Sequence, residues 1–204
     1  MATSRISTSS ILQGFPKSRS LLAGNAAYDP AATFLIQRTA GNGSNTSITF
    51  SSIPQTYKHL QIRCLSRNSS GGSGNANLNI RLNSDSGSNY TRHYLRGDGS
   101  SASAYGDISS TYAIVQDGDL NWTASSLYKA VSIIDIHDYS SSTKNKTVRS
   151  LAGADVNASG YGVSIGLSSA LWVNTAAVTS ITITSSGATA FDSTSTFALY
   201  GMVG

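Results

Sequence analysis

Residues Lys58-His-Leu-Gln-Ile-Arg-Cys64 alternate without a fault: Leu60, Ile62 and Cys64 fall on one side, and His59, Gln61 and Arg63 on the other. A period of two held over several residues is the pattern of a strand with one face in a core and the other in water. Ala76-Asn-Leu-Asn-Ile-Arg-Leu82 repeats it, setting Leu78, Ile80 and Leu82 against Asn79 and Arg81. The Ser- and Gly-rich stretch from Ser66 to Gly74 separates the two as a loop.

Working outward, Phe34–Arg38 and Thr46–Phe50 read as strands, with Gly41–Asn45 breaking the first and Ile53-Pro54 stopping the second. Asn83–Ser88 is turn chemistry. Asn89–Leu95, Thr111–Val115, Tyr128–Ile136, Lys146–Ala152, Tyr161–Leu167, Val178–Thr184 and Phe197–Val203 follow as strand candidates, and Arg96–Tyr105 reads as a loop. Adjacent Ile133 and Ile134 interrupt the alternation, which predicts a bulge or burial on both faces there. About nine or ten strands, with turns every 8–12 residues or so and no 3.6-residue period, predict an all-β domain over 31–204. The expected architecture is a two-sheet antiparallel β-sandwich with jelly-roll-like connections, a closed barrel being the alternative.

Composition agrees. Ser and Thr make up about a quarter of the 204 residues and charged residues only 12%. Ser, Thr and Asn bond to nearby backbone and disfavour long helices, while Thr, Val, Ile and Tyr suit a pleated sheet. The net charge is +4, but the 14 basic residues are scattered rather than gathered on one stretch. That spread argues against a nucleic-acid partner. No apolar stretch is long enough for a membrane span, and Met1–Ser10 lacks the apolar core of a signal peptide. A single cysteine, Cys64, excludes an internal disulfide, and its place in the alternating run predicts a buried thiol.

Residues 1–30 differ from the rest. Arg5, Lys17 and Arg19 precede the first acidic residue, Asp29, and the apolar residues come in small clusters: Ile11 with Leu12, Phe15 with Pro16, Leu21 with Leu22. No strand or helix period runs through them. The segment is expected to be an extended N-terminal docking arm, able to span roughly 100 Å if drawn out, a disordered tail being the alternative.

Few residues suggest chemistry. His59, His93 and His137 lack the paired spacing of a zinc site, so no metal and no cofactor is expected. The oxygen-bearing run Asn83 to Asn89 has the alternate spacing of a calcium loop but no closing glutamate, which favours a self-bonded turn. Arg96-Gly97-Asp98 and the Asn-x-Ser/Thr triplets at Asn89 and Asn121 are what this composition produces without selection for adhesion or glycosylation. Tyr94, Tyr105 and Tyr112, placed near predicted loops, and Trp122 form a candidate glycan platform; the alternative is aromatic capping of the sandwich ends. No catalytic constellation is evident.

Phe50-Ser-Ser-Ile-Pro-Gln-Thr-Tyr-Lys-His-Leu-Gln-Ile-Arg63, Arg81–Tyr90 with His93, Ile136-His-Asp-Tyr139 followed by Lys146-Thr147, Trp172–Thr175 before Ile181–Ile183, and Ser195–Gly201 occur in an order that resembles a family of tailed-bacteriophage structural proteins, common in phages of cyanobacteria and other aquatic bacteria. The resemblance covers most of residues 31–204, and Leu22–Asn25 with Tyr28 are similar to the leader of some members. It implies a non-enzymatic virion protein, of the head decoration or cement type or a fibre or tail part. The expected partners are the major capsid protein or other virion proteins and further copies of the chain, as a trimer for preference. The expected location is the virion, assembled in the host cytoplasm. The alternative function is a tail or fibre module that binds host glycan.

Overall fold

The computed structural model describes residues 33–69, 76–118, 120, 128–154 and 164–203. Twelve strands lie within them: β1 (Thr33–Ala40), β2 (Ser47–Phe50), β3 (His59–Ser66), β4 (Leu78–Leu82), β5 (Tyr90–Gly97), β6 (Ala102–Ser110), β7 (Ala113–Gln116), β8 (Ala130–Ile136), β9 (Lys146–Ala154), β10 (Ser164–Trp172), β11 (Ile181–Ser185) and β12 (Thr196–Met202). All pairings are antiparallel. One sheet has eight strands in the order β1-β12-β3-β8-β9-β10-β5-β6, and the other has four, β2-β11-β4-β7. The chain crosses repeatedly from one sheet to the other, so the fold is the expected jelly-roll-like sandwich.

The inner faces come from the alternation seen in the sequence. Leu60, Ile62 and Cys64 of β3 and Leu78, Ile80 and Leu82 of β4 are at most 1% exposed. Phe50, Ile181 and Ile183 line the small sheet, and Ile134, Ile136, Val148, Trp172, Phe197 and Leu199 face them from the large one. Each large side chain so buried stabilises by roughly 1.5–3 kcal/mol before ordering entropy is subtracted.

Three serines join the layers. Ser132, Ser150 and Ser168 stand on the inner face of β8, β9 and β10 beneath β7, the last strand of the small sheet. Ser132 donates to Gln116 Oε1 at 2.6 Å, Ser150 to the Val115 carbonyl at 2.6 Å and Ser168 to the Ile114 carbonyl at 2.5 Å. These hydroxyls satisfy carbonyls on a strand that has a pairing neighbour on one side only.

Three local expectations are corrected. Arg96–Tyr105 is not one loop: β5 runs to Gly97, and Ala102 begins β6. Ile133 and Ile134 make no bulge, because β8 keeps unbroken register with β3 and β9 and Ile133 points outward at 38% exposed. The irregularities fall instead at Leu35–Gln37 of β1, Leu78–Asn79 of β4 and Tyr90–Arg92 of β5. The last predicted strands shift as well: β10 continues through Ser168-Ser169 to Trp172, and β11 starts at Ile181 rather than Val178.

Candidate interaction surface

The eight-stranded sheet has an outer face on which apolar side chains meet water. Its registers align Leu65, Val131, Gly153, Ile165 and Gly97 in one row across β3, β8, β9, β10 and β5. The adjacent row aligns Ile133, Leu151, Leu167 and Leu95, with Arg63 at its β3 end. Exposures run from 38% at Ile133 to 63% at Ile165. Gly153 has no side chain between Val131 and Ile165, and a shallow depression of about 400 Å³ lies there, lined also by Ile133 and Leu151. A contiguous apolar stripe of this kind, as distinct from scattered exposed leucines, has the character of surfaces on which proteins meet partners or ligands. Polar groups border it. On one flank Asp135 accepts from Gln61 at 2.9 Å and pairs with Arg149 at 3.4 Å; on the other, Lys129 lines the depression.

The predicted tyrosine platform is in part assembled. Tyr94 and Tyr105 are cross-strand partners in mid-β5 and mid-β6, not loop residues, and their rings lie 5.5 Å apart. Tyr105 is 51% exposed, while burial, then Asp117 and Tyr105, raise the Tyr94 phenol above its ordinary pKa. Tyr112 sits apart from that pair as a plate beneath two guanidiniums, 4.9 Å from Arg92 and 6.0 Å from Arg81. Arg92 grips Asp107 with two bonds of 2.7 and 2.6 Å, and the bonded carboxylate raises the pKa of the Arg92 guanidinium above its ordinary value. Arg96 pairs with Asp117 at 3.7 Å. Sequence reading missed this Arg–Asp–Tyr cluster, because β6 supplies Asp107 and β6 was read as loop up to Tyr105.

The remaining candidates are structural. In the Asn83–Asn89 turn, Asp85 accepts from the Gly87 amide, from Asn89 Nδ2 and, at 2.7 Å, from the Trp172 indole. These bonds, the indole first, hold its carboxyl below the usual range. Asn83 and Ser84 have positive φ, and Asn83 Oδ1 accepts from the Thr179 and Ser180 amides. Asp98 of the Arg-Gly-Asp string is closed on itself by the Ser100 and Ser101 amides, which depress its pKa. Every acidic residue of the chain is aspartate, and the seven described ones are all engaged: Asp85 and Asp98 as above, Asp107, Asp117, Asp135, Asp138 and Asp192 in ion pairs. Cys64 is buried, as expected, and burial pushes its thiol pKa far up. Among the described residues no cluster of three metal-ligating side chains forms, and no helix is long and apolar enough to cross a membrane.

The arm residues Arg5, Ile11, Leu12, Phe15, Pro16, Lys17, Arg19, Leu21 and Leu22, and Trp122 of the glycan platform, lie outside the described residues. Compared with family models, curated proteins and solved structures, the chain matches none.

Proposed function

We propose that this chain is a non-enzymatic building block of a tailed-phage virion, a decoration or cement protein of the head. In this reading the N-terminal segment docks on the major capsid shell and the β-sandwich packs against neighbouring protein through its outer face. The observation that carries it is the uninterrupted apolar stripe from Leu65 to Leu95. A two-layer sandwich already has its core between the sheets, so a second apolar face calls for a second partner. The order of motifs from Phe50 to Gly201 supports the virion setting by resemblance. The engagement of the described aspartates in turns and ion pairs supports a structural rather than a chemical use of them.

Arm docking adds to face packing through avidity, since copies held twice dissociate far more slowly than copies held once. The test is occupancy on purified heads. Deleting residues 1–25 is expected to leave the domain folded by circular dichroism and to abolish coating. Full coating by the truncated protein rejects the arm mechanism.

The Tyr94–Tyr105 pair favours a second reading, glycan binding by a tail or fibre module, because a half-exposed aromatic pair beside an Arg–Asp pair suits a sugar ring. Glycan-array binding that disappears in Tyr105→Ala would establish it; an array without signal removes it.

A further inference from the structure

We infer that the partner of the outer face is a second copy of the same chain, packed sheet to sheet about a two-fold axis that runs across the strands. The inference rests on reading this face as a protein-binding surface and names its occupant. Two observations select the second copy.

The first is extent. Five strands at about 4.8 Å spacing and the run from Lys129 to Asp135 make a face of roughly 20 by 25 Å. Two such faces bury on the order of 1,000–1,400 Å² together, enough for a specific interface, though at its lower end. The regular registers from β3 to β5 keep the face free of bulges, so two copies can lie against each other as sandwich sheets do. Ile165, at 63% exposed, is a knob beside the depression over Gly153, so the surface holds both halves of a packing contact.

The second is charge. Along β8 the apolar Val131 and Ile133 are bracketed by Lys129 at one end and Asp135 at the other. An axis across the strands reverses β8 over its copy, which sets Lys129 opposite Asp135 of the second molecule at both ends. A parallel stacking would instead face like with like, at an energetic cost. The isologous arrangement brings the same pair of opposite charges together at both ends at once, beside the Arg149 pair that Asp135 already makes in its own chain.

The test uses the full chain in sedimentation velocity from about 1 to 100 µM, beside Leu151→Thr/Leu167→Thr. Threonine keeps strand propensity at two solvent-facing positions, so the double variant is expected to match the wild-type circular dichroism spectrum and melting temperature. Wild type is expected to dimerise, and the variant to weaken the dimer at least 100-fold, since each change counts twice in a two-fold interface. A second probe is Leu151→Cys, near the centre of the stripe, with a short bis-maleimide: a crosslinked dimer is expected, the native Cys64 being buried. A wild-type chain that stays monomeric at 100 µM, or a dimer that the double variant leaves intact, overturns self-pairing. If that monomer still coats heads and the double variant does not, the face belongs to a capsid partner and the proposed function stands. If the dimer forms as inferred but neither form coats heads, self-pairing stands and the decoration role falls.

Discussion

Asp85 shows how much one side chain carries. It closes its own turn through the Gly87 amide and Asn89, and it receives the buried Trp172 indole from 87 residues away. Asp85→Ala leaves that N–H without a partner, and a loss of about 2 kcal/mol is expected, measurable by urea unfolding. The turn role was legible, because Asx chemistry is local; the indole was not, since its donor comes from another strand. His59 was read as an outward, unremarkable residue. It instead accepts the Asp138 amide on Nδ1 at 3.0 Å, edge-on to His137 at 5.1 Å. A protonated Nδ1 cannot accept, so this bond favours the neutral ring. Burial first, then His137 and Lys58, lower its pKa below 6.5, against the pull of Asp138. The unfolded chain therefore takes up the proton more readily, so this stabilisation is complete above pH 6.5 and is lost as pH falls below it. Unfolding midpoints measured from about pH 7.5 to 5 should decline in wild type and run flatter in His59→Asn, whose amide oxygen can still accept. Gly201 lies under the Tyr57 ring, where a Cβ would collide with ring carbons. Gly201→Ala should displace Tyr57 and cost about 1–3 kcal/mol in the same assay.

At the scale of elements, β7 and β6 explain where each sheet stops. Serines from β8, β9 and β10 reach the Gln116 side chain and the carbonyls of Val115 and Ile114, so the facing sheet supplies donors to this edge strand. Ser150→Ala removes one such donor and leaves the Val115 carbonyl buried and bare, with an expected cost of about 1–3 kcal/mol by chemical denaturation. β6 lies at the far edge of the large sheet, and most of its residues are exposed on both faces. A strand with no core face has no hydrophobic period to display, which is why Ala102–Ser110 was illegible as a strand. Ser168-Ser169 in β10 hid for a related reason: the inward residue is polar because its hydroxyl has a carbonyl to meet, and sequence shows only two serines. The Ile133-Ile134 doublet misled in the opposite way, an outward isoleucine looking the same in sequence as an inward one.

For the whole molecule, topology sets the folding behaviour. β12 lies between β1 and β3, and β11 between β2 and β4, so the last strands fill places beside the first. Neither sheet can close until the C-terminal strands arrive. Such non-local pairing places folding in the millisecond-to-second range, and stopped-flow refolding should find it there. A chain ending before β12 is expected to give an unfolded far-UV spectrum, because β1 and β3 both lose their neighbour and Phe197 and Leu199 leave the core.

Local period and turn chemistry alone determined that the chain is all-β, where most strands lie, and which residues of β3 and β4 face inward. Those signals act between residues a few positions apart and survive in a bare sequence. The division into eight strands and four, the serine bonds beneath β7 and the apolar stripe from Leu65 to Leu95 were decided only in three dimensions. Alternation separates two faces of a strand without saying what covers either one. Coverage depends on neighbours drawn from distant parts of the chain, so a water-facing leucine and a core leucine become distinguishable only once the strands are ordered.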